Sequence, residues 1–331
     1  CINPLEMIEK YGADAVRLSL IIGTTAGSDT KINEEKIQSF RNFVNKIWNT
    51  ARFALMNVND LQADRNLEIK NLADAWIMSR LQEITCQVTD DLTEYRLSGA
   101  GERVYDFLWH DFADWYLEVS KVNKNEAVIL HVLKTALKLL HPFVPFVTEA
   151  LWSELGEQKI ILTKWPKVQS EYVRKTAEAD FEVLKNVIMT VRNLRAESNI
   201  PAGKMIEVIM HAHDAEAVLT ANKEIIRKMC RVEKLEITKS GAKVQGAVSG
   251  VVNGVTLYIP LAGAIDLGAE QDRLKKEIAN LKNYISGMES KLSNKKFVAN
   301  APAAVVETER AKLAEAQSKL AKFESNLKSI L

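Results

Sequence analysis

Two arginines, two amides and a tryptophan recur at intervals of three and four in one stretch of this chain: Arg41, Asn45, Trp48, Asn49 and Arg52. On a helix that spacing puts most of them on one face, with Lys46 flanking it. Guanidinium groups pair with phosphates or stack on planar bases, and amides read base edges, so the face suits an unstacked stretch of RNA. A plain solvated helix face has the same spacing. A second group of cations, Lys291, Lys295, Lys296, Arg310 and Lys312, gathers late in the chain around Phe297. Residues 267–331 hold 12 Lys plus Arg against 8 Asp plus Glu, whereas 1–266 hold 32 against 35. Positive charge is therefore concentrated where it can lie along a polyanion.

Other constellations have weaker claims. His211 and His213 alternate at the end of an expected strand, with Asp214 after them, but no third ligand stands at a recognisable spacing, so no metal site is expected. His110, Asp111, Asp114 and Glu118 run down one helix and read as a polar face beside Trp109, Phe112, Trp115 and Tyr116, which read as core. The six tryptophans read mostly as core by their spacing. Cys1, Cys86 and Cys230 form no CxxC pair and have no recognisable catalytic partner, so a reducing cytoplasm is expected and no catalytic residue is assigned. Asp14 and Arg17, three apart on one helix face, read as an ion pair or a helix-packing pair.

The chain has 331 residues, 47% hydrophobic and 26% charged, with a net charge of +1. That composition is ordinary for globular domains and long enough for two or more of them. No apolar run approaches the roughly 20 residues that cross a bilayer, and no membrane role is expected. The first residue is Cys1, which suggests a piece of a longer protein.

The elements that must position these residues are mostly helices. One is expected over Leu5–Ile22. Another begins at Asn33, a side-chain cap followed by Glu34 and Glu35 in the dipole-favoured first turn. Further helices are expected at about 71–91, 98–122, 126–140 and 145–155, giving a helix bundle. After 158 the pattern changes: helices near 176–198 and 215–230, and strands at Met205–Met210, Leu235–Thr238, Ala247–Val252 and Val255–Pro260. The last two flank Asn253-Gly254, a strong hairpin signal. From Leu267 a 3-4 spacing runs through Leu274, Ile278, Leu281, Ile285, Met288 and Leu292, then Val306, Leu313, Leu320, Phe323, Leu327 and Ile330. Lys295 and Pro302 interrupt it, so two helices folded into an antiparallel hairpin are expected. The fold class is mainly α, with segments at 1–40, 41–157, 158–265 (small α/β) and 266–331 (coiled-coil arm).

Pro4-Leu5-Glu6-Met7-Ile8-Glu9-Lys10-Tyr11-Gly12-Ala13-Asp14-Ala15-Val16-Arg17 resembles the segment after the KMSKS loop of class I aminoacyl-tRNA synthetases for branched aliphatic amino acids. Arg41–Asn49 with Arg52-Phe53 resembles the first helix of their anticodon-binding domain, and His141-Pro142-Phe143-Val144-Pro145-Phe146-Val147-Thr148-Glu149-Ala150-Leu151-Trp152 its late motif. Val191-Arg192-Asn193-Leu194-Arg195-Ala196-Glu197 before Asn199-Ile200-Pro201, and Lys296–Pro302 before Val305-Val306-Glu307, are similar to the valyl members.

The resemblance implies an anticodon face of Arg41, Asn45, Lys46, Asn49 and Arg52. It also implies an arm contacting the tRNA elbow through Lys291, Lys295, Lys296, Phe297, Arg310 and Lys312. Asp14 and Arg17 would brace the junction with the catalytic domain. The parent enzyme would join valine to tRNA(Val) using ATP and Mg2+. This chain contains neither a HIGH-type motif nor KMSKS, nor the editing domain, so it is expected to be a monomeric, inactive tRNA-binding part that needs no cofactor and works with the catalytic and editing domains. The alternatives are a coiled-coil module that zips in parallel with a second copy, and the same part of an isoleucyl or leucyl enzyme.

Overall fold

A computed structural model of the chain describes residues 3–24, 27, 32–156, 158–262, 267–293 and 303–330. The chain divides into two compact units, Cys1–Glu182 and Val183–Leu331. The expected boundary between 157 and 158 therefore falls inside the first unit.

The first unit opens with α1 (Pro4–Tyr11) and α2 (Ala13–Ile21). A single helix was expected here. Gly12, at φ +89°, breaks it, a backbone state that glycine adopts without a Cβ penalty. The following helix, α3 (Glu34–Met56), starts where its cap requires: Asn33 Oδ1 accepts the Lys36 N–H at 2.8 Å. Ala15, Val16 and Ile37 are buried between these three helices, with Met7, Tyr11, Ile32 and Phe40 packed around them.

The bundle continues with α4 (Leu72–Thr93), α5 (Leu97–Asp106), a π-helical stretch Phe107–Tyr116, α6 (Leu117–Val119), α7 (Glu126–Leu140) and α8 (Pro145–Ser153). In the π stretch hydrogen bonds reach five residues back, as from Leu117 N–H to the Phe112 carbonyl. The wider turn changes which side chains face inward. Phe107, Leu108, Phe112 and Tyr116 are buried, while Trp109 and Trp115, expected in the core, are only half-buried.

A buried polar group fixes the bundle's register. Asp74, fully buried near the start of α4, accepts from Tyr116 Oη at 2.8 Å, from Asn125 Nδ2 at 2.7 Å and from Asn71 Nδ2 at 3.0 Å. The Lys70 N–H donates as well, at 3.1 Å, so the donors come from three segments, and a carboxylate with this many partners meets its hydrogen-bond demand without water. Burial, then the adjacent carboxylate, push the Tyr116 phenol well above its usual range, so it stays a donor.

The helix α9 (Lys175–Glu197) carries the boundary between the units. In the second unit β1 (Ile206–His211), β2 (Val232–Thr238), β3 (Ala247–Val252) and β4 (Val255–Pro260) form a sheet in the order β2-β1-β4-β3. β1 and β2 are parallel and joined through α10 (Glu216–Ala221) and α11 (Lys223–Cys230), the crossover that a parallel pair needs. β3 and β4 pair antiparallel from Val252↔Val255 outward, turning on Asn253 and Gly254, both at positive φ. Arg195 is buried and bonds the carbonyls of Cys230, Pro201 and Lys204, so the second arginine of the 191–197 motif is a structural clamp on the turn after α9.

The last two helices, α12 (Leu267–Ser293) and α13 (Ala303–Ile330), pack against each other. Lys282 pairs with Glu324 and Lys291 with Glu309, each at 2.8 Å, so the partner numbers run in opposite directions and the pair is antiparallel. Leu274, Ile278, Ile285 and Met288 are buried, as the 3-4 spacing predicts, with Val306 and Ala316 buried on the other helix. Fold-back within one chain takes up the stripe that the parallel two-chain alternative needs. Among the described residues no helix is long and apolar enough to cross a membrane.

Candidate nucleic-acid interface

The inward side of α3 carries Phe43, Ile47, Thr50, Ala51 and Ala54, all buried. Burying a phenylalanine fully contributes about 2–3 kcal/mol, so this side fixes the helix's rotation. The outward side then has to present Arg41, Asn45, Trp48, Asn49 and Arg52, and all five are exposed. Trp48 keeps 43% of its surface in solvent, unusual for the largest apolar side chain. Met56, one turn beyond Arg52, is exposed as well. Within the fold none of these four polar side chains has a hydrogen-bond or ion-pair partner among the described residues. Two guanidiniums, two amides and an indole edge thus stand preset on a rigid helix, free to meet an outside ligand.

Lys46 is placed differently. Its ammonium bonds Asp114 Oδ1 at 2.8 Å and lies 5.0 Å from the centre of the Trp109 ring. That ring stacks on Tyr105 and Phe43, so Lys46 ties α3 to the π-helical stretch. The remaining polar residues of that stretch are also occupied locally. Asp111 bonds Arg80 at 3.0 Å, His110 lies 3.6 Å from Asp114, and Glu118 bonds Lys121 at 2.6 Å. Each acid answers a nearby base, as a polar face does.

In the helical arm, Lys291 and Lys312 both reach Glu309, at 2.8 and 3.1 Å. The Lys291 bond and then the Lys312 bond hold the Glu309 carboxyl below its usual range. Arg310 is exposed, with no ion-pair partner among the described residues. Lys295, Lys296 and Phe297 lie outside the described residues.

Asp14 and Arg17 do not pair with each other; they grip the segment 142–147. Asp14 accepts the Phe146 and Val147 N–H groups at 3.3 and 2.7 Å, capping α8 from another helix. Arg17 donates to the carbonyls of Phe143 and Pro142 at 3.2 and 3.0 Å. Burial pushes the Asp14 carboxyl above its usual range, and the two backbone bonds only partly counter it.

His211 is buried at the end of β1 with its ring edge-on to Tyr258 at 5.2 Å. His213 leaves the strand in a left-handed turn at φ +44°, so the two rings do not share a face as expected. The strand ends at His211, and alternation ends with it. Both described thiols are poor nucleophiles: burial pushes Cys230 up to about 12, and burial and Asp90 raise exposed Cys86. Of the tryptophans, Trp76 and Trp152 are core, while Trp48 and Trp165 are open to solvent. Trp165 belongs to a segment whose charges follow no helical or strand period, so spacing alone does not single out its lysines.

Residues 74–210 match the family described as the anticodon-binding domain of tRNA ligase. This makes the first unit's bundle a domain of the aminoacyl-tRNA synthetase class. Residues 266–331 match a second family, the valyl tRNA synthetase tRNA binding arm. The chain is 40% identical over 328 residues to a valine--tRNA ligase of Enterococcus faecalis, covering 94% of this chain and 37% of that protein. Against the Oceanobacillus iheyensis valine--tRNA ligase it is 36% identical over 346 residues, covering 99% and 39%. Within the class, therefore, the chain belongs to the valyl-tRNA synthetase family, and it spans less than two fifths of the length of these relatives. Among solved structures, the LeuRS of a LeuRS-tRNA-LeuAMS ternary complex from Agrobacterium radiobacter K84 gives a TM-score of 0.43 at 23% identity, over 52% of this chain and 22% of that one, too partial a likeness to carry an argument.

Proposed function

We propose that this chain is the tRNA-recognition part of a valine--tRNA ligase, the bundle engaging the anticodon stem-loop and the arm the tRNA elbow. The observation that carries the reading is the outward face of α3, where Arg41, Asn45, Asn49 and Arg52 find no partner among the described residues. Specificity for tRNA(Val) then resides in base contacts from that face. The arm contributes sequence-independent, salt-sensitive affinity through Lys291, Lys295, Lys296, Arg310 and Lys312, with Phe297 beside them. In the whole cytoplasmic protein, ATP and Mg2+ serve the attachment of valine. With neither a HIGH-type motif nor KMSKS in the sequence, no step of that chemistry is assigned to residues of this chain.

The test is a binding titration of this chain at two salt concentrations against tRNA(Val), the same transcript with its anticodon changed, and tRNA(Ile). Preference for tRNA(Val) that vanishes with the altered anticodon supports the reading. Equal affinity for all three removes the bundle as the reader and leaves only a basic arm. Sedimentation at varied protein concentration checks the monomer, which an antiparallel hairpin closed within one chain supports.

A further inference from the structure

Between α8 and α9 the chain runs as an irregular strap over one side of the bundle. From 158 to 175 it carries Lys159, Lys164, Lys167, Arg174 and Lys175 against a single acid, Glu171. That is a net +4 in 18 residues, on a chain whose first 266 residues sum to −3.

The strap is held firmly. Trp152 Nε1 donates to the Gln158 carbonyl at 2.8 Å, and Ile160 is buried. Trp165 Nε1 bonds Thr89 Oγ1 at 2.9 Å, Gln82 Oε1 accepts the Gln169 N–H at 2.8 Å, and Ser79 Oγ accepts the Arg174 N–H at 2.8 Å. Ser79, Gln82 and Thr89 lie along one side of α4, so a regular helix fixes an irregular backbone. Only Lys175 among the five cations is engaged, with Glu178 and Glu83. Lys159, Lys164, Lys167 and Arg174 are exposed and have no ion-pair partner among the described residues.

Trp165 separates two openings. One, of about 440 Å³, is lined by Lys138, Lys164, Lys167, His131, Gln82 and Trp165 among others; the second, about 190 Å³, by Lys138, Lys164, His141, Ile161 and Trp165. Among the described residues no carboxylate lines either one. Burial lowers the His131 imidazole, so it faces the opening uncharged at neutral pH. An aromatic edge flanked by exposed Lys164 and Lys167, in a groove with no carboxylate among its described lining residues, matches a sugar–phosphate backbone with an unpaired base better than an acidic peptide, which has no use for a ring platform.

We propose that the strap is a further RNA-binding surface of this chain, with Lys164, Lys167 and Arg174 on phosphates and Trp165 against an unpaired base. This rests on the reading of RNA as the partner, but it adds a surface separate from both the α3 face and the arm. The test is a tRNA titration of the whole chain across a range of salt, comparing the unaltered protein with K164A/K167A/R174A, K164R/K167R and R41A/R52A. The triple alanine variant is expected to bind about tenfold more weakly at low salt and to flatten the slope of log affinity against log salt by about two units. The arginine pair should retain both, and W165A should weaken binding without changing the slope. If the unaltered chain binds and the triple variant matches it in affinity and slope, the strap proposal fails alone. If the unaltered chain binds no tRNA at any salt, this proposal and the proposed function fall together. If the triple variant loses only capture of a polyglutamate peptide, the surface serves acidic protein and the RNA assignment is wrong.

Discussion

Asp14 and Val147 stand 133 positions apart, and Asp14 Oδ2 accepts the Val147 N–H at 2.7 Å. No side chain local to α8 caps its first turn, so the capping acceptor comes from α2. The contact explains why a short helix near the start of the chain and the His141–Val147 motif belong to one unit. Asp14→Ala is expected to destabilise that unit by about 1–2 kcal/mol in urea unfolding, the usual value of a lost cap. Asp14→Asn, which keeps one acceptor oxygen, should cost less; an equal cost would assign the effect to charge rather than to capping.

Acid should weaken the turn between α4 and α5. Asp91 is buried and bonded by Arg96 and Arg103, each at 2.8 Å. Burial pushes its carboxyl up, but the bonds from Arg103 and Arg96 together hold it below its usual range. A depressed carboxyl stabilises the fold fully above its unfolded value, near about pH 4, and that contribution is lost as pH falls through the folded value. Both arginines are largely exposed, so the effect should be modest and shrink with salt. Stability measured from pH 6 to 2.5 should fall less steeply below pH 4 in Asp91→Asn than in the unaltered chain.

Asp74 and Tyr116 offer a contrast between removing a charge and removing a donor. Asp74→Ala leaves Tyr116, Asn125 and Asn71 without their buried acceptor, and about 3 kcal/mol or more should be lost. Tyr116→Phe removes one of several donors to the carboxylate and should cost about 1–2 kcal/mol. Thermal melts of the two variants check the order; a larger loss for Tyr116→Phe would contradict it.

On α3, recognition and stability should separate by residue. Arg41→Ala with Arg52→Ala is expected to weaken tRNA binding by about tenfold while leaving the melting temperature unchanged, since neither guanidinium has a bond among the described residues. Lys46→Ala should lower the melting temperature instead, because Lys46 joins α3 to Asp114 and Trp109. Binding lost with Lys46 alone, at unchanged stability, would move Lys46 into direct RNA contact.

Much of this protein was legible in the residue order. The Asn33 cap, the Asn253-Gly254 hairpin, the four strands and the 3-4 stripe of the arm are local signals. Each depends on backbone preferences or side-chain periods within a few turns, and the folded chain honours them. The outward face of α3 followed too, because a helix that buries Phe43 and Ile47 can present only the opposite side. Tertiary structure decided what local pattern does not encode. Gly12 divides a continuous apolar stripe, the π-helical stretch leaves Trp109 and Trp115 half-buried at the edge of the core, and Lys46 finds Asp114 68 positions away. Asp14 and Arg17, read from their spacing as an ion pair or a helix-packing pair, pack by bonding the 142–147 backbone rather than each other. The strap at 158–174 is tied to the bundle by residues distant in sequence, Ser79, Gln82 and Thr89 among them. A period in sequence reports which way a side chain points along its own element, while the identity of its partner is set by where distant elements meet.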